Sequence, residues 1–324
     1  MNWAAGPKKL HRLCPWKPSL PLESTVDYLM AKEKSFADYK QEAADWITLA
    51  TGEYYPDILP QACELYKPIL VLFGQLLKSA HSSTDLFMSI SEVGEQWMRI
   101  QLSRVFRKYV SPETPVEMLK KKSGATQICK RFGPGFRKIV EVQKRFQTRP
   151  IPDEALCALL WEYKDRGKKG YDLTARMFAI LRGHLRGFTL IGPERAGKDV
   201  LLGELFPNYP KPDRPVDFVI FRGEKADFRE AVAIGLARYD SDRGGAQEDD
   251  RTGQYREVAQ EVISYADKNN LPRLKVIYVN DGPGLLLGSM WDDYAYIENQ
   301  SKGRVRIVTL RMLAERVTPA WLRG

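Results

Sequence analysis

Two kinds of spacing divide the chain. Up to residue 187 the apolar positions recur at helical intervals, and beyond it they come in short runs broken by glycine, proline and polar turns. Residues 24–50 read as a helix, with Val26, Tyr28, Leu29, Phe36 and Tyr39 among its apolar positions and Ser24 or Thr25 as its cap. Residues 59–80 form a strongly apolar helical stretch with Pro68 near one end or at a kink. One further helix is expected from Thr84 to Tyr109, with short basic helices over 114–123 and 134–147. Amphipathic helices are expected over 153–166 and 172–185. Residues 1–22 are proline-rich and read as an extended arm.

The second stretch predicts a strand over 188–191, a helix over 197–206 and a hairpin of strands 216–221 and 232–239 turning near Gly223. A polar loop over 240–253, a helix over 255–268 and a strand over 275–280 follow. The chain then makes a glycine-rich turn at Asp281–Gly284, a helix through Trp291 and Ile297, and a last strand over 304–310. This is an α/β order with a mixed sheet. The expected domains are therefore an α-rich part, 1–187, and an α/β part, 188–324.

With 44% hydrophobic and 28% charged residues in 324 positions, the chain can bury a sizeable core. No apolar run reaches the roughly 18–20 residues of a membrane span, and no signal-like apolar segment opens the chain. Cys14, Cys63, Cys129 and Cys157 are far apart with no CxxC pair. That excludes a zinc finger or disulfide scaffold and fits a reducing, cytoplasmic setting.

Charge changes the picture more. The formal net charge is +9, and residues 101–150 hold 13 Lys/Arg against 3 Asp/Glu, a surplus that covers the whole excess. Aromatics and glycines are interleaved there, as in Arg131-Phe132-Gly133-Pro134-Gly135-Phe136-Arg137, followed by Lys138. A basic stretch of this kind suits contact with a phosphate backbone, so double-stranded DNA is the expected partner.

Two motifs compete for the chemistry. Gly192 to Asp199 fits the phosphate-loop spacing G-x-x-x-x-G-K, with Lys198 as the phosphate lysine. Asp199 stands where such a loop carries its Ser or Thr, and the acid nearest to a strand end is Asp281. This reading makes the protein a nucleotide-binding kinase or ATPase. The second motif is Pro215-Val216-Asp217 at the start of the hairpin, with Glu204 on the segment before it.

The order of elements over about 188–310, with Asp217 opening the hairpin, resembles the PD-(D/E)xK nuclease superfamily and its type II restriction endonucleases. The resemblance implies Mg²⁺ held by clustered carboxylates, hydrolysis of phosphodiester bonds in DNA, and a homodimer for cutting both strands. It assigns Asp217 to the metal and Glu204 to the supporting helix acid. The helical part resembles no family.

Hairpin symmetry about residues 226–227 places 235–237 opposite Asp217, where the superfamily carries Glu-x-Lys. This chain has Gly235 and Ala237 there. The nearest polar groups are Arg238, Asp240 and Asp242, so Asp240 and Asp242 are candidate metal ligands, and Arg238 and Lys198 candidate phosphate stabilisers. The polar run 238–254 offers Arg243, Gln247 and Arg251 as DNA contacts, and equally reads as a solvated loop with Thr252 capping the next helix. A protein that binds DNA without cutting it is the remaining alternative.

Overall fold

The computed structural model describes residues 33–193, 199–241 and 246–324, leaving aside the side chains of 118, 163–171 and 246–251. After a 3₁₀ turn at Phe36–Glu42, helices α1 (Ala43–Trp46), α2 (Leu59–Ser79), α3 (Ser83–Glu92), α4 (Gln96–Tyr109), α5 (Gly124–Phe132), α6 (Ile139–Gln147) and α7 (Glu154–His184) follow in order. The α/β part comprises β1 (Phe188–Ile191), β2 (Val200–Leu201), α8 (Leu202–Leu205), β3 (Pro215–Val216), β4 (Phe218–Arg222) and β5 (Ala231–Tyr239). It continues with α9 (Ala246–Lys268), β6 (Lys275–Asp281), α10 (Met290–Gln300), β7 (Val305–Val308), α11 (Leu313–Arg316) and α12 (Pro319–Arg323). The fold is α/β, with a helical N-terminal part.

Several expected elements change shape. The helix expected over 84–110 is two helices, broken at Val93–Glu95 around Gly94. The two helices expected over 153–185 are one 31-residue helix, α7, which runs through Gly167 and Gly170. The helix expected over 24–50 begins outside the described residues, and its described part is the 3₁₀ turn and α1. The helix expected over 197–206 is instead β2 followed by the single turn α8.

The sheet has the order β1-β4-β5-β6-β7. β1, β4 and β5 run antiparallel, and β5, β6 and β7 run parallel. β6 is buried at all seven positions, as a central parallel strand covered on both faces must be. β2 and β3 make a separate two-stranded ribbon at the entrance to β4.

Two buried cores divide the chain elsewhere than at residue 187. One joins α2–α6 to the first half of α7 through Phe73, Phe87, Phe106 and Trp161. The other joins the sheet to the second half of α7, through Met177 and Phe178, and to Phe36, Tyr39 and Ile47. The segment 33–50 thus belongs with the α/β part. Glu298 anchors it: one carboxylate oxygen accepts from the Phe36 N–H (2.7 Å) and from Arg316 (2.6 Å), the other from the Ile307 N–H (2.9 Å). The Phe36 ring stacks on Trp291 at 4.3 Å.

Residues 46–50 then cross the carboxyl ends of the parallel strands. The Thr48 N–H donates to Asp281 (2.6 Å), the Ala50 N–H to the Tyr239 hydroxyl (2.6 Å), and the Thr309 hydroxyl to the Trp46 carbonyl (2.5 Å). With that strap in place, a wide cavity at this edge lies where β4 begins beside the end of β5. No described helix is long and apolar enough to cross a membrane.

At the other end of β6, Lys275 is 5% exposed, lies 4.9 Å from the Trp321 ring centroid and donates to the Trp321 carbonyl. Burial, with Arg306, Arg304 and Arg273 nearby, lowers its pKa to about 8. Between about pH 8 and the ordinary lysine value the unfolded chain therefore binds more protons than the folded one. Stability from this group must rise with pH across that window. Lys275→Met should be less pH-sensitive there, so the difference between wild-type and variant melting curves should shift in favour of wild type from pH 8 to 10. A constant difference would contradict the assignment.

Candidate functional site

A cavity of about 370 Å³ opens between the start of β4, the end of β5, the β2–β3 ribbon and the first half of α9. Asp199, Arg214, Asp217, Arg238, Gln254 and Tyr255 supply its polar lining.

Asp217 sits where the chain leaves the ribbon and enters the sheet, between β3 and β4. Its N–H donates to the Gly235 carbonyl (3.0 Å), and its carboxylate Oδ2 accepts from the Ala237 N–H (2.7 Å). The β5 backbone thus fixes the carboxylate. The register Phe218↔Gly235 agrees with the hairpin symmetry read from the sequence. Burial chiefly, with Asp199 adding, raises the Asp217 pKa; the Ala237 N–H and Arg238 oppose the shift.

Packing at Gly235 explains the missing Glu of the Glu-x-Lys pair. A Cβ built on Gly235 would lie 1.9 Å from the Phe218 ring, so no longer side chain fits without moving that ring. Gly235→Ala should therefore destabilise by about 1–3 kcal/mol by overpacking, measurable by denaturant unfolding; an unchanged midpoint would show the ring yields freely. Gly192 has a similar reason: a Cβ there would lie 2.3 Å from the Asp217 carbonyl and 2.7 Å from Phe178. Its role in close packing is met without any phosphate. The backbone after Asp199 enters a strand and a four-residue helix, so among the described residues no long helix presents its amino end there, as a phosphate loop requires.

The carboxyl end of β5 continues into Asp240, 3% exposed and outside the cavity lining. Its N–H donates to the Asp281 carbonyl (2.8 Å), its carbonyl accepts from Gly284 (2.9 Å), and its carboxylate lies 3.7 Å from Arg238. Asp240 thus faces Arg238 and the Asp281–Gly284 turn. Gly282, at φ 109°, is required by that approach, since a Cβ would lie 2.3 Å from the Asp240 carbonyl. Glu204 is exposed on α8 and does not line the cavity. Of the sequence candidates, the structure brings Asp217 and Arg238 together and leaves Glu204 and Asp240 outside.

Lys198, Asp242 and Arg243 lie outside the described residues. Gln247 and Arg251 fall on α9, with side chains outside the description. That helix begins at Ala246, within the expected loop, and Thr252 is a buried helical residue there and no cap. Arg131, Arg137 and Lys138 are exposed around the Gly133–Gly135 turn, although Arg137 donates to the Tyr109 carbonyl (2.7 Å).

The cavity adds groups that the sequence reading did not assign to it. Asp199, weighed only within the phosphate-loop motif, comes into electrostatic range of Asp217. Arg214, just before Pro215, is held by Glu261 (2.8 Å) and Glu257 (3.0 Å). Tyr255 stacks on Tyr278 at 4.2 Å and donates to the Asn280 carboxamide oxygen (3.0 Å). Both pairs pin a side of the cavity to α9 and β6. No family model matches the chain, and no curated protein matches it.

Among the described residues no three His, Cys, Asp or Glu side chains group closely enough to hold a metal ion. Two carboxylates on one cavity still suit Mg²⁺, which keeps several waters and takes one or two carboxylates together with substrate phosphate oxygens. Asp199 and Asp217 are the residues that would hold it.

Proposed function

We propose that the protein is a Mg²⁺-dependent endonuclease acting on double-stranded DNA, of the restriction-endonuclease-like kind. The observation that carries the reading is the Asp217 carboxylate, fixed by β5 at the entrance to β4 and sharing a cavity with Asp199, Arg214 and Arg238. The strand order, with an antiparallel β1-β4-β5 group continued by parallel β6 and β7, supports it. The exposed basic residues 131, 137 and 138 supply cations for the phosphate backbone.

In this reading Asp199 and Asp217 hold the cation. When bound, it polarises the phosphodiester and lowers the pKa of an attacking water. Arg238, about 40% exposed, and Arg214, fixed by its glutamates, face the phosphate and offset its charge. Tyr255 and Gln254 form the wall beside α9. A cut through both strands calls for two copies related by a two-fold axis.

A second reading, DNA binding without cleavage, is favoured by the closed Gly235 position and by the absence of a lysine at Ala237. Supercoiled plasmid incubated with Mg²⁺ or with EDTA separates the two. Linear product with Mg²⁺ alone supports the nuclease; gel retardation without product supports binding only.

The basic face has its own test. Replacing Arg131, Arg137 and Lys138 by Ala should flatten the slope of log K against log salt by up to about 2–3 units on duplex DNA. An unchanged slope would mean that these cations are solvated and touch no phosphate.

A further inference from the structure

The turn between α5 and α6 is pinned from three sides. The Phe136 ring packs edge-on against Phe106 at 5.1 Å, the Ser83 hydroxyl donates to the Arg137 carbonyl, and the Arg137 guanidinium donates to the Tyr109 carbonyl. Gly133 lets the turn close on α3, since a Cβ there would lie 2.7 Å from Thr84. α6 therefore starts from a fixed base, as a precise contact requires.

The helix turns one face to the core. Val142 and Phe146 are buried, with Ile139 and Gln143 half-buried beside them. On the opposite face stand Val140, Glu141 and Lys144, flanked by Arg145 and Gln147, all exposed. Val140 is 71% exposed. Lys138, Lys144 and Arg145 have no acidic partner among the described residues, although Glu141 stands four residues before Arg145, the spacing that favours an ion pair.

Glu141 separates two uses of such a face. Toward phosphates alone its carboxylate is repulsive, and an apolar Val140 adds nothing. In the major groove each residue type has a base partner. Lysine donates to guanine O6 and N7, glutamate accepts from the cytosine amino group, and an apolar side chain meets the thymine methyl.

We propose that α6 enters the major groove of double-stranded DNA and reads sequence there through Lys144, Glu141 and Val140. Lys138 and Arg145 meet phosphates at the groove edges. This rests on the nucleic-acid reading above and needs no cleavage.

Selection of random-sequence DNA duplexes by the full chain tests it, with Ca²⁺ in place of Mg²⁺ and again in EDTA, followed by sequencing of the bound fraction. Wild type should enrich one motif in at least one condition. Lys144→Ala should lose the preference at one or two base pairs of that motif and lower affinity for it by about tenfold to a hundredfold, while affinity for unrelated duplex changes a few-fold at most. Glu141→Gln should change the preferred base at a neighbouring pair. Arg131→Ala, off α6, should weaken both affinities together and keep the motif. Circular dichroism melting separates lost readout from lost folding, and Lys144→Met, which keeps the stem without the charge, keeps the test decisive if the alanine variant unfolds. A motif kept intact by folded Lys144→Ala overturns the proposal and leaves the DNA reading standing. Duplexes retained with no motif enriched also overturn it, since backbone contact is then all the chain makes. No duplex retained at all removes the DNA reading together with it.

Discussion

Asp217→Asn should reduce Mg²⁺-dependent plasmid cleavage by about 10³-fold or more while leaving DNA affinity close to wild type. A metal-held phosphodiester is stabilised by several kcal/mol in the transition state, and each 1.36 kcal/mol is tenfold in rate. The substitution keeps the shape and removes the charge. It should not lower the melting temperature, because burial raises the Asp217 pKa and ionisation there works against the fold. The same shift bears on the metal-free site, where protons compete with Mg²⁺ for the carboxylate. At limiting Mg²⁺, kcat/KM should therefore fall as pH is lowered through a value above the ordinary aspartate range, and saturating Mg²⁺ should move that fall to lower pH. Cleavage by Asp217→Asn at near wild-type rate would remove this residue from the chemistry.

Asp281→Ala should cost about 3–5 kcal/mol of stability. Asp281 is 0% exposed, and its carboxylate accepts from the N–H groups of Thr48 (2.6 Å), Gly282 (2.7 Å) and Leu310 (3.0 Å). It ties the strap to the ends of β6 and β7. Alanine leaves three donors unmet, those of buried Gly282 and Leu310 and of half-buried Thr48, each buried one worth about 1–3 kcal/mol before relaxation. The melting temperature should drop on the order of 10 °C. Asp281→Asn should cost less, because one acceptor remains and burial, which raises this carboxyl's pKa, no longer opposes a charge. Equal losses for the two variants in urea unfolding would contradict this account of the side chain.

Local signals made much of the α/β part legible. Alternation and β-branched runs give the strands at 188–191, 231–239 and 275–281 to within a residue or two. The symmetry of a short hairpin puts Gly235 and Ala237 beside Asp217 before any coordinates are needed. Long-range pairing was not legible. Asp199 reaches Asp217 because β2 pairs with β3, only two residues on each strand, with no periodicity to betray it. Arg214 belongs to the cavity because glutamates more than forty residues later, on α9, hold it.

The sequence pattern puts Glu204 on a longer helix than the chain makes. With four residues in α8, the helix face that would have aimed it at Asp217 does not exist. The helix break expected between 166 and 172 is absent for a related reason. Each glycine costs a helix about 1 kcal/mol, yet α7 has one end in each core and is held at both. Conversely Phe36 and Tyr39, read as one face of a local helix, find their partners in Trp291 and Glu315, more than 250 residues away.

The most direct measurement is the rate of supercoiled plasmid cleavage by wild type, Asp199→Asn and Glu204→Gln, side by side in Mg²⁺ and in EDTA. A two-carboxylate site built from Asp199 and Asp217 predicts cleavage by wild type only with Mg²⁺, at least a hundredfold loss in Asp199→Asn, and a near wild-type rate in Glu204→Gln. Cleavage that persists in EDTA, or that survives Asp199→Asn and disappears with Glu204→Gln, would contradict it.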